Sequence, residues 1–200
     1  MPIAVEQGSG GTAMKTMWVS RYHALLVTLH WLLAVLIVAM LGAGFLLLDE
    51  MPNSDPQKIG ILMWHMAGGM FILGLMAIRF IVRMRTLRPP HATTGYPLLD
   101  RLAPITHYGF YILVLLMVAT GFATAILAGL NKSVFQGSGD PLPADFDIYP
   151  SFVAHGTFAA LLVGLVVLHV LAALYHQFLR KDRLLRRMWF GRRTLDPSAQ

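Results

Sequence analysis

Four long apolar stretches decide what this chain can fold into. They run roughly over Tyr22–Leu48, Gly60–Arg85, Ala103–Gly129 and Phe152–Leu179. Each reaches or exceeds the ~20 residues that an α-helix needs to cross about 30 Å of hydrocarbon. None alternates between polar and apolar residues as the strands of a membrane barrel do. The sequence therefore predicts an all-α membrane protein, a bundle of four transmembrane helices over residues 21–180.

The composition agrees with a membrane protein. Hydrophobic residues make up 56% of the chain and charged residues only 13%, about half the share of a soluble domain. The sequence contains no cysteine, which excludes c-type haem attachment, an iron–sulfur cluster and a disulfide. The net charge is +6. Because the four apolar stretches leave no soluble domain that could bind nucleic acid, we expect membrane lipid as a partner and no nucleic acid.

The basic residues predict the orientation of the bundle. Of the sixteen lysines and arginines, only Lys58 and Lys132 lie in the first and third connections between the apolar stretches. The positive-inside rule makes the opposite side cytoplasmic. Because the number of helices is even, both termini are expected in the cytoplasm.

The segments outside the helices carry further expectations. Residues 1–20 are predicted to be a disordered tail and not a cleaved signal peptide, because the apolar run that follows is longer than a signal sequence and contains His30. The connection 131–151 has no helical or strand period and is predicted to be a loop. Residues 181–200 interleave arginines with apolar residues, which predicts a basic interfacial helix on anionic lipid or a docking site for a soluble partner.

Histidines are the main functional signal. All but one lie within or at the ends of the apolar stretches, where ionisable residues are usually functional. The exception is His91, in the second connection. The eight histidines are His23, His30, His65, His91, His107, His155, His169 and His176.

The spacing of the histidines predicts two pairs. His155 and His169 are fourteen residues apart, so they share one helix face and lie about 21 Å apart along its axis. Counted from the ends of their helices, His65 and His155 lie at similar depths in the membrane and form an outer pair. His30 and His169 likewise form an inner pair. Two histidines facing each other across a bundle core are the expected axial ligands of a b-type haem, so we predict two haem b groups.

Other interpretations of the histidines remain open. Buried imidazoles can be satisfied by hydrogen bonds or form a proton relay. Zinc or copper fits poorly, because the two levels are far apart and thiolates or clustered carboxylates are missing. His107 and His176, near the inner interface, are predicted to handle protons at a quinone carbonyl; alternatively, one of them replaces His30 or His169 as a ligand.

Two cations and four glycines complete the candidate site. Arg79 is expected either to pair with a propionate of the inner haem or to extend to the membrane surface. Lys58 is expected to pair with an outer propionate. Small residues beside the histidines would let a flat macrocycle approach, although they also pack membrane helices closely. These glycines are Gly68, Gly69, Gly156 and Gly164.

Several short motifs together resemble the bacterial cytochrome b561 family. They are His30–Trp31, Trp64–His65, His107 with Tyr111, and the series His155, His169 and His176 followed by RKDRLLRRM. The resemblance extends from about Tyr22 to Arg193. It implies a four-helix, di-haem cytochrome b of the bacterial inner membrane with ligands on the first, second and fourth helices. Membrane subunits of formate dehydrogenases and nickel–iron hydrogenases have a similar layout.

The resemblance also implies an oxidoreductase activity. Some family members are similar to superoxide:quinone oxidoreductases that reduce ubiquinone. We therefore expect electron transfer from a donor on the periplasmic side to the quinone pool, ubiquinone or menaquinone. Superoxide fits poorly as the donor, because two lysines and six carboxylates give the outer loops a net charge of −4, which repels an anion.

Two alternative functions follow from the same residues. The chain could be the cytochrome b anchor subunit of a larger dehydrogenase or hydrogenase complex, with a periplasmic redox partner docked on loop 131–151. It could instead be a haem-free transporter or proton channel that uses the histidines as a relay. The apolar stretches contain no Asp or Glu, which such relays usually include.

Overall fold

Four long helices form the structure, a computed structural model that describes residues 18–89, 97–182 and 184–196. They are α1 (Ala24–Ala43), α2 (Pro56–Arg85), α3 (Pro97–Leu127) and α4 (Pro150–Leu174). Helix α1 continues through a π-helical turn, Gly44–Leu48, and α4 through another, Tyr175–Arg180. All four are long and apolar enough to cross a membrane. The predicted four-helix membrane bundle is confirmed.

Local sequence signals explain where the helices begin and end. Asp55 precedes α2, and its carboxylate accepts a hydrogen bond from the Gln57 N–H at 2.8 Å. Proline occupies the first position of both α2 and α4, where its missing N–H costs nothing. Helix α2 ends at Arg85, and Thr86 after it is extended.

The helices pack as two pairs around an aliphatic core. Helix α1 contacts α2, α3 contacts α4, and the two pairs meet where α2 lies against α3. Every helix contributes to the central cluster, so the core lies in the middle of the bundle. Its buried residues are Leu33, Ile72, Met76, Val114 and Leu162.

The end of the bundle opposite to both termini, called the outer end, is closed by the connection between α3 and α4, and the end that carries both termini is called the inner end. Leu130, Val134 and Leu142 are buried there together with Ala125 of α3. The sequence predicted a loop without helical period, but residues Asn131–Phe135 form a π-helical turn. Burial of Val134 against α2 and α3 favours this turn, which a search for periodicity along the sequence does not detect.

The first outer connection is tied to the second through Asn53. Its Nδ2 donates to the carbonyl oxygens of Pro143 at 2.8 Å and Ala144 at 3.2 Å. The two outer connections therefore form one cap over this end of the bundle.

The inner end is closed by the C-terminal segment, which folds back onto the start of α1. The predicted interfacial helix is a single 3₁₀ turn, Leu184–Met188. Strand β2 (Leu195–Asp196) pairs antiparallel with β1 (Trp18–Val19). Residues 18–20 of the predicted disordered tail therefore take part in this contact. The rest of that tail, residues 1–17, and His91 lie outside the described residues.

Arg21 holds the C-terminal segment in place. Its Nη1 donates to the carbonyl oxygens of Arg186 at 2.8 Å, Trp189 at 3.1 Å and Phe190 at 3.3 Å. The indole N–H of Trp31 donates to the Met188 carbonyl at 2.9 Å. These carbonyls bond to side chains across the molecule, and this competes with a longer helix in the segment.

Replacing Arg21 by Met should therefore release the C-terminal segment. The lost hydrogen bonds contribute about 1–3 kcal/mol together, so amide hydrogen exchange in residues 184–194 should accelerate between about fivefold and about a hundredfold. Arg186→Met is the matched control, because Arg186 contributes its main-chain carbonyl to the contact. Equal exchange rates in the two variants would contradict the assignment.

Candidate functional site

Two pairs of histidines face each other across the bundle. His65 of α2 lies opposite His155 of α4, with ring centres 6.2 Å apart. His30 of α1 lies opposite His169 of α4, with ring centres 6.1 Å apart. The structure thus brings together both pairs that the sequence places at matching depths. Each pair joins a helix of the α1–α2 pair to α4.

The two histidine levels are separated by the aliphatic core. His155 and His169 are fourteen residues apart on α4, about 21 Å along the helix axis. Leu162 lies midway between them and is 3% exposed. Its buried neighbours in the core come from the other three helices, so an aliphatic layer divides the outer level from the inner one.

The distance within each pair fits two ligands on one metal atom. A metal–imidazole nitrogen bond is about 2.0–2.1 Å long, and each ring centre lies roughly 1 Å behind its nitrogen, so two imidazoles on opposite sides of one metal atom have ring centres about 6 Å apart. The described residues contain no group of three or more His, Cys, Asp or Glu that could hold a metal ion. Paired imidazoles therefore suit a cofactor that supplies the remaining ligands itself, as haem does.

Hydrogen bonds orient the outer pair. Nδ1 of His155 lies 2.9 Å from the Met117 carbonyl oxygen, so this nitrogen donates and Nε2 is left to bind a metal. Thr120 Oγ1 lies 3.5 Å from the same Nδ1. On the facing ring, Nδ1 of His65 is buried and has no hydrogen-bond partner among the described residues. An unsatisfied buried imidazole nitrogen is costly, which agrees with a site built around a ligand.

Two glycines that the sequence analysis missed lie against the outer pair. A Cβ at Gly121 of α3 would lie 3.1 Å from both Cε1 and Nδ1 of His155, and one at Gly44 would lie 3.7 Å from Cε1 of His65. Neither is close in sequence to the histidine it touches, so only the tertiary structure reveals them.

The four glycines chosen from the sequence have different surroundings. A Cβ at Gly68 would meet the Met40 sulfur at 2.9 Å. Within the described part of the chain, a Cβ at Gly69, Gly156 or Gly164 would meet no heavy atom within 4 Å.

The inner level holds a third imidazole. The ring centre of His107, on α3, lies 5.8 Å from that of His169. Phe110, one turn further along α3, packs its ring edge-on against His169 at 5.4 Å. His107 therefore lies next to His169. This position is compatible with both predicted roles, proton handling beside the inner pair and ligation in place of one of its members.

His176 lies nearer the inner end of the same helix face. It is seven residues beyond His169, about 10 Å along the axis. Its Nδ1 is 2.6 Å from Oδ2 of Asp182, a residue that the sequence analysis did not single out. The buried Oε1 of the adjacent Gln177 has no hydrogen-bond partner among the described residues.

Arg79 points across the bundle to α1. Its Nη1 donates to the Leu26 carbonyl oxygen at 2.6 Å. In a regular helix this carbonyl also accepts the N–H of His30 four residues later. The guanidinium is thus held one turn from the inner pair and brings a positive charge to that level.

Lys58 is buried at the outer end, with 7% of its surface exposed. Its Nζ donates to the Met51 carbonyl at 2.6 Å and to Oδ1 of Asn53 at 2.7 Å. An ammonium group has three donors, so these two contacts leave one for a further acceptor. Because Asn53 also ties the two outer connections together, Lys58 belongs to the outer cap.

Comparison with known proteins identifies the family of the chain. A profile described as prokaryotic cytochrome b561 matches residues 21–191. A protein of Yersinia pestis named "Probable superoxide oxidase CybB" is 29% identical over 173 residues, which cover 84% of this chain and 95% of the relative. "Cytochrome b561 homolog 1" of Escherichia coli K12 is 25% identical over 171 residues, covering 84% of this chain and 97% of the relative.

A second Escherichia coli K12 protein, "Cytochrome b561 homolog 2", is 27% identical over 177 residues, covering 84% of this chain and 90% of the relative. The family match includes all four membrane helices and the six histidines at the two levels and the inner end. The chain therefore belongs to the prokaryotic cytochrome b561 family and is a multi-pass membrane cytochrome b that carries b-type haem.

Proposed function

We propose that this protein transfers electrons across the membrane, from a donor at its outer side to a quinone at its inner side, with two b haems. The observation that carries the proposal is the geometry of the two imidazole pairs. Their ring centres are 6.2 and 6.1 Å apart, and they lie at two levels of one bundle. A single haem would bind one pair and leave the other two imidazoles buried without a metal, which is costly.

The proposed ligands are His65 and His155 for the outer haem and His30 and His169 for the inner haem. When bound, haem iron alternates between the ferric and ferrous states and so carries one electron at a time. The chain would supply the histidine ligands, their orientation and the apolar surroundings that tune the potential. The Met117 carbonyl orients His155, and the aliphatic core keeps water from the region between the levels.

One cation lies near each end of the bundle, Lys58 buried and Arg79 partly buried. Arg79 is one turn from the inner pair, and Lys58 is near the outer end with one donor left over. Haem propionates are anions, and buried anions need paired cations. We propose that Arg79 balances an inner propionate and Lys58 an outer one.

The distribution of charge supports the proposed orientation. Fourteen of the sixteen lysines and arginines lie on the side of both termini, which the positive-inside rule assigns to the cytoplasm. The donor then acts from the periplasmic side of a bacterial inner membrane. Superoxide is the donor that the name of the Yersinia relative indicates, but the net charge of −4 on the outer loops gives it no long-range attraction.

The inner end offers the residues for a quinone. His107 lies beside the inner pair, and His176 lies between that pair and the aqueous phase. Reduction of a quinone to a quinol takes up two electrons and two protons, and neutral or cationic imidazoles transfer protons readily near pH 7. We propose that His107 and His176 bind the quinone oxygens and supply the protons.

Counting haem is the first test of this proposal. The purified protein should contain two b haems per chain by pyridine haemochrome. His65→Ala or His155→Ala should remove one haem, and His30→Ala or His169→Ala the other, because a low-spin haem needs both ligands. His23→Ala, at the start of α1, should keep both. Loss of a haem in His107→Ala with retention in His30→Ala would make His107 the inner ligand.

Gly121 gives a test of the outer site that leaves all histidines intact. Gly121→Ala places a methyl group 3.1 Å from the His155 ring, well inside the ~3.5–4.0 Å optimum for carbon atoms. The ring must move, and such overpacking costs about 1–3 kcal/mol. We expect a shifted potential or partial loss of the outer haem in a redox titration. Gly74→Ala, which meets nothing within 4 Å among the described residues, should leave both haems unchanged.

The quinone site is tested by the reoxidation of reduced protein. Stopped-flow absorbance should show rapid oxidation of both haems when ubiquinone is added to the dithionite-reduced protein. His176→Ala should slow this step about a hundredfold or more, the usual contribution of a general acid, while both haem spectra remain. Loss of a haem signal would instead make His176 a ligand. Unchanged kinetics in His176→Ala would show that the quinone binds elsewhere.

A cytochrome b subunit of a larger complex is the second candidate function. It is favoured by large apolar side chains exposed in the outer connection, Phe135 and Ile148, which are 49% and 67% exposed. A soluble redox partner docked there would cover them. Co-purification of a stoichiometric partner from the native membrane would favour this function, and activity of the chain alone would favour the first.

A further inference from the structure

We propose that Asp182 is a positioning residue for proton delivery at the inner end, acting through His176. This inference rests on the proposed reduction of a quinone. Asp182 Oδ2 lies 2.6 Å from Nδ1 of His176. In the part of the chain that the structure describes, this is the one contact between a histidine and a carboxylate within ion-pair distance.

The backbone turn that ends the helix after Arg180 brings the two side chains together. Six residues separate them, so in a continuing α-helix Asp182 would lie about 9 Å further along the axis and about 120° around it. Instead, Lys181 adopts a left-handed conformation with φ 57° and ψ 24°. The Asp182 N–H then reaches back to the His176 carbonyl at 3.3 Å, and its carboxylate is returned to the imidazole.

Helix capping does not explain an aspartate at this place. The C-terminal end of a helix carries partial negative charge, which disfavours a carboxylate. Asp182 is also the one acidic residue between Asp147 and Asp196, in a segment rich in arginine. Its carboxylate contacts Nδ1 of His176 instead.

The contact decides which nitrogen of His176 can exchange protons. With a carboxylate at Nδ1, that nitrogen carries the hydrogen and donates it, so Nε2 is the atom that takes up and releases a proton. The carboxylate also has the opposite charge to the imidazolium that forms when Nε2 is protonated. The side chain of Asp182 is 29% exposed and that of His176 only 15%, so the pair extends from water into the bundle.

Electrons and protons balance for the proposed reduction of a quinone to a quinol. Two electrons come singly from a one-electron donor at the outer side, and two protons come from the inner aqueous phase. The Nε2–H bond of His176 breaks and an O–H bond forms on a quinone oxygen. His176 then takes up another proton at Nε2 from water, while Nδ1–H stays bonded to Asp182.

The test uses the haem-loaded, full-length protein and ubiquinone. Asp182→Asn keeps an oxygen acceptor for Nδ1 but removes the charge. It should lower kcat for quinone reduction about tenfold or more, with KM within about twofold and both haem spectra unchanged. Asp182→Glu should recover most of the lost rate. A rate in Asp182→Asn equal to that of the unmodified protein would overturn the inference.

Lys181 provides a second test that changes neither partner. Lys181→Val disfavours the left-handed conformation, because a β-branched residue is strained there. It should reproduce the kinetic effect of Asp182→Asn. Lys181→Gly removes the same charge but favours the turn, so it should retain the full rate. Equal rates in these two variants would contradict the role of the turn.

The outcomes separate this inference from the proposed function. If His176→Ala slows quinone reduction and Asp182→Asn does not, only the role of Asp182 fails. If the unmodified haem-loaded protein does not reduce ubiquinone, the proposed function fails first.

Discussion

The need to satisfy imidazoles inside an apolar bundle governs this structure. A buried polar group without a partner costs free energy, and four imidazoles at two depths multiply that cost. In this bundle the histidines face each other in pairs, at distances that suit a shared metal atom, and binding such an atom would offset the cost of their burial. Membership of a cytochrome b family explains why such a costly arrangement is retained.

Helix α4 is the element on which both levels depend. His155 and His169 lie on one face of it, and the partner of each comes from a different helix, α2 or α1. The central aliphatic cluster holds these helices at a common spacing. The distances within the two pairs therefore agree to within 0.1 Å, although their surroundings differ. Met117 and Gly121 of α3 flank the outer pair, whereas His107 and Phe110 of the same helix flank the inner one.

Much of this arrangement could be predicted from the sequence, because helix geometry is regular. A rise of about 1.5 Å per residue converts position into depth, so the pairing of His65 with His155 and of His30 with His169 follows from counting. The features that counting misses depend on tertiary contacts or on unusual backbone. Gly121 touches a histidine on another helix, and Asp182 reaches His176 only because Lys181 is left-handed. The C-terminal segment forms a short 3₁₀ turn in place of a longer helix, because Arg21 binds its carbonyl oxygens.

The position of α4 in the chain has a consequence for biogenesis. Membrane helices are inserted in the order of synthesis, and α4 is the last of the four. Since both histidine pairs need this helix, neither level is complete until nearly the whole chain has left the ribosome. His30 and His65 are therefore synthesised before the α4 histidines that face them. The two levels are therefore complete only once α4 has packed against α1 and α2.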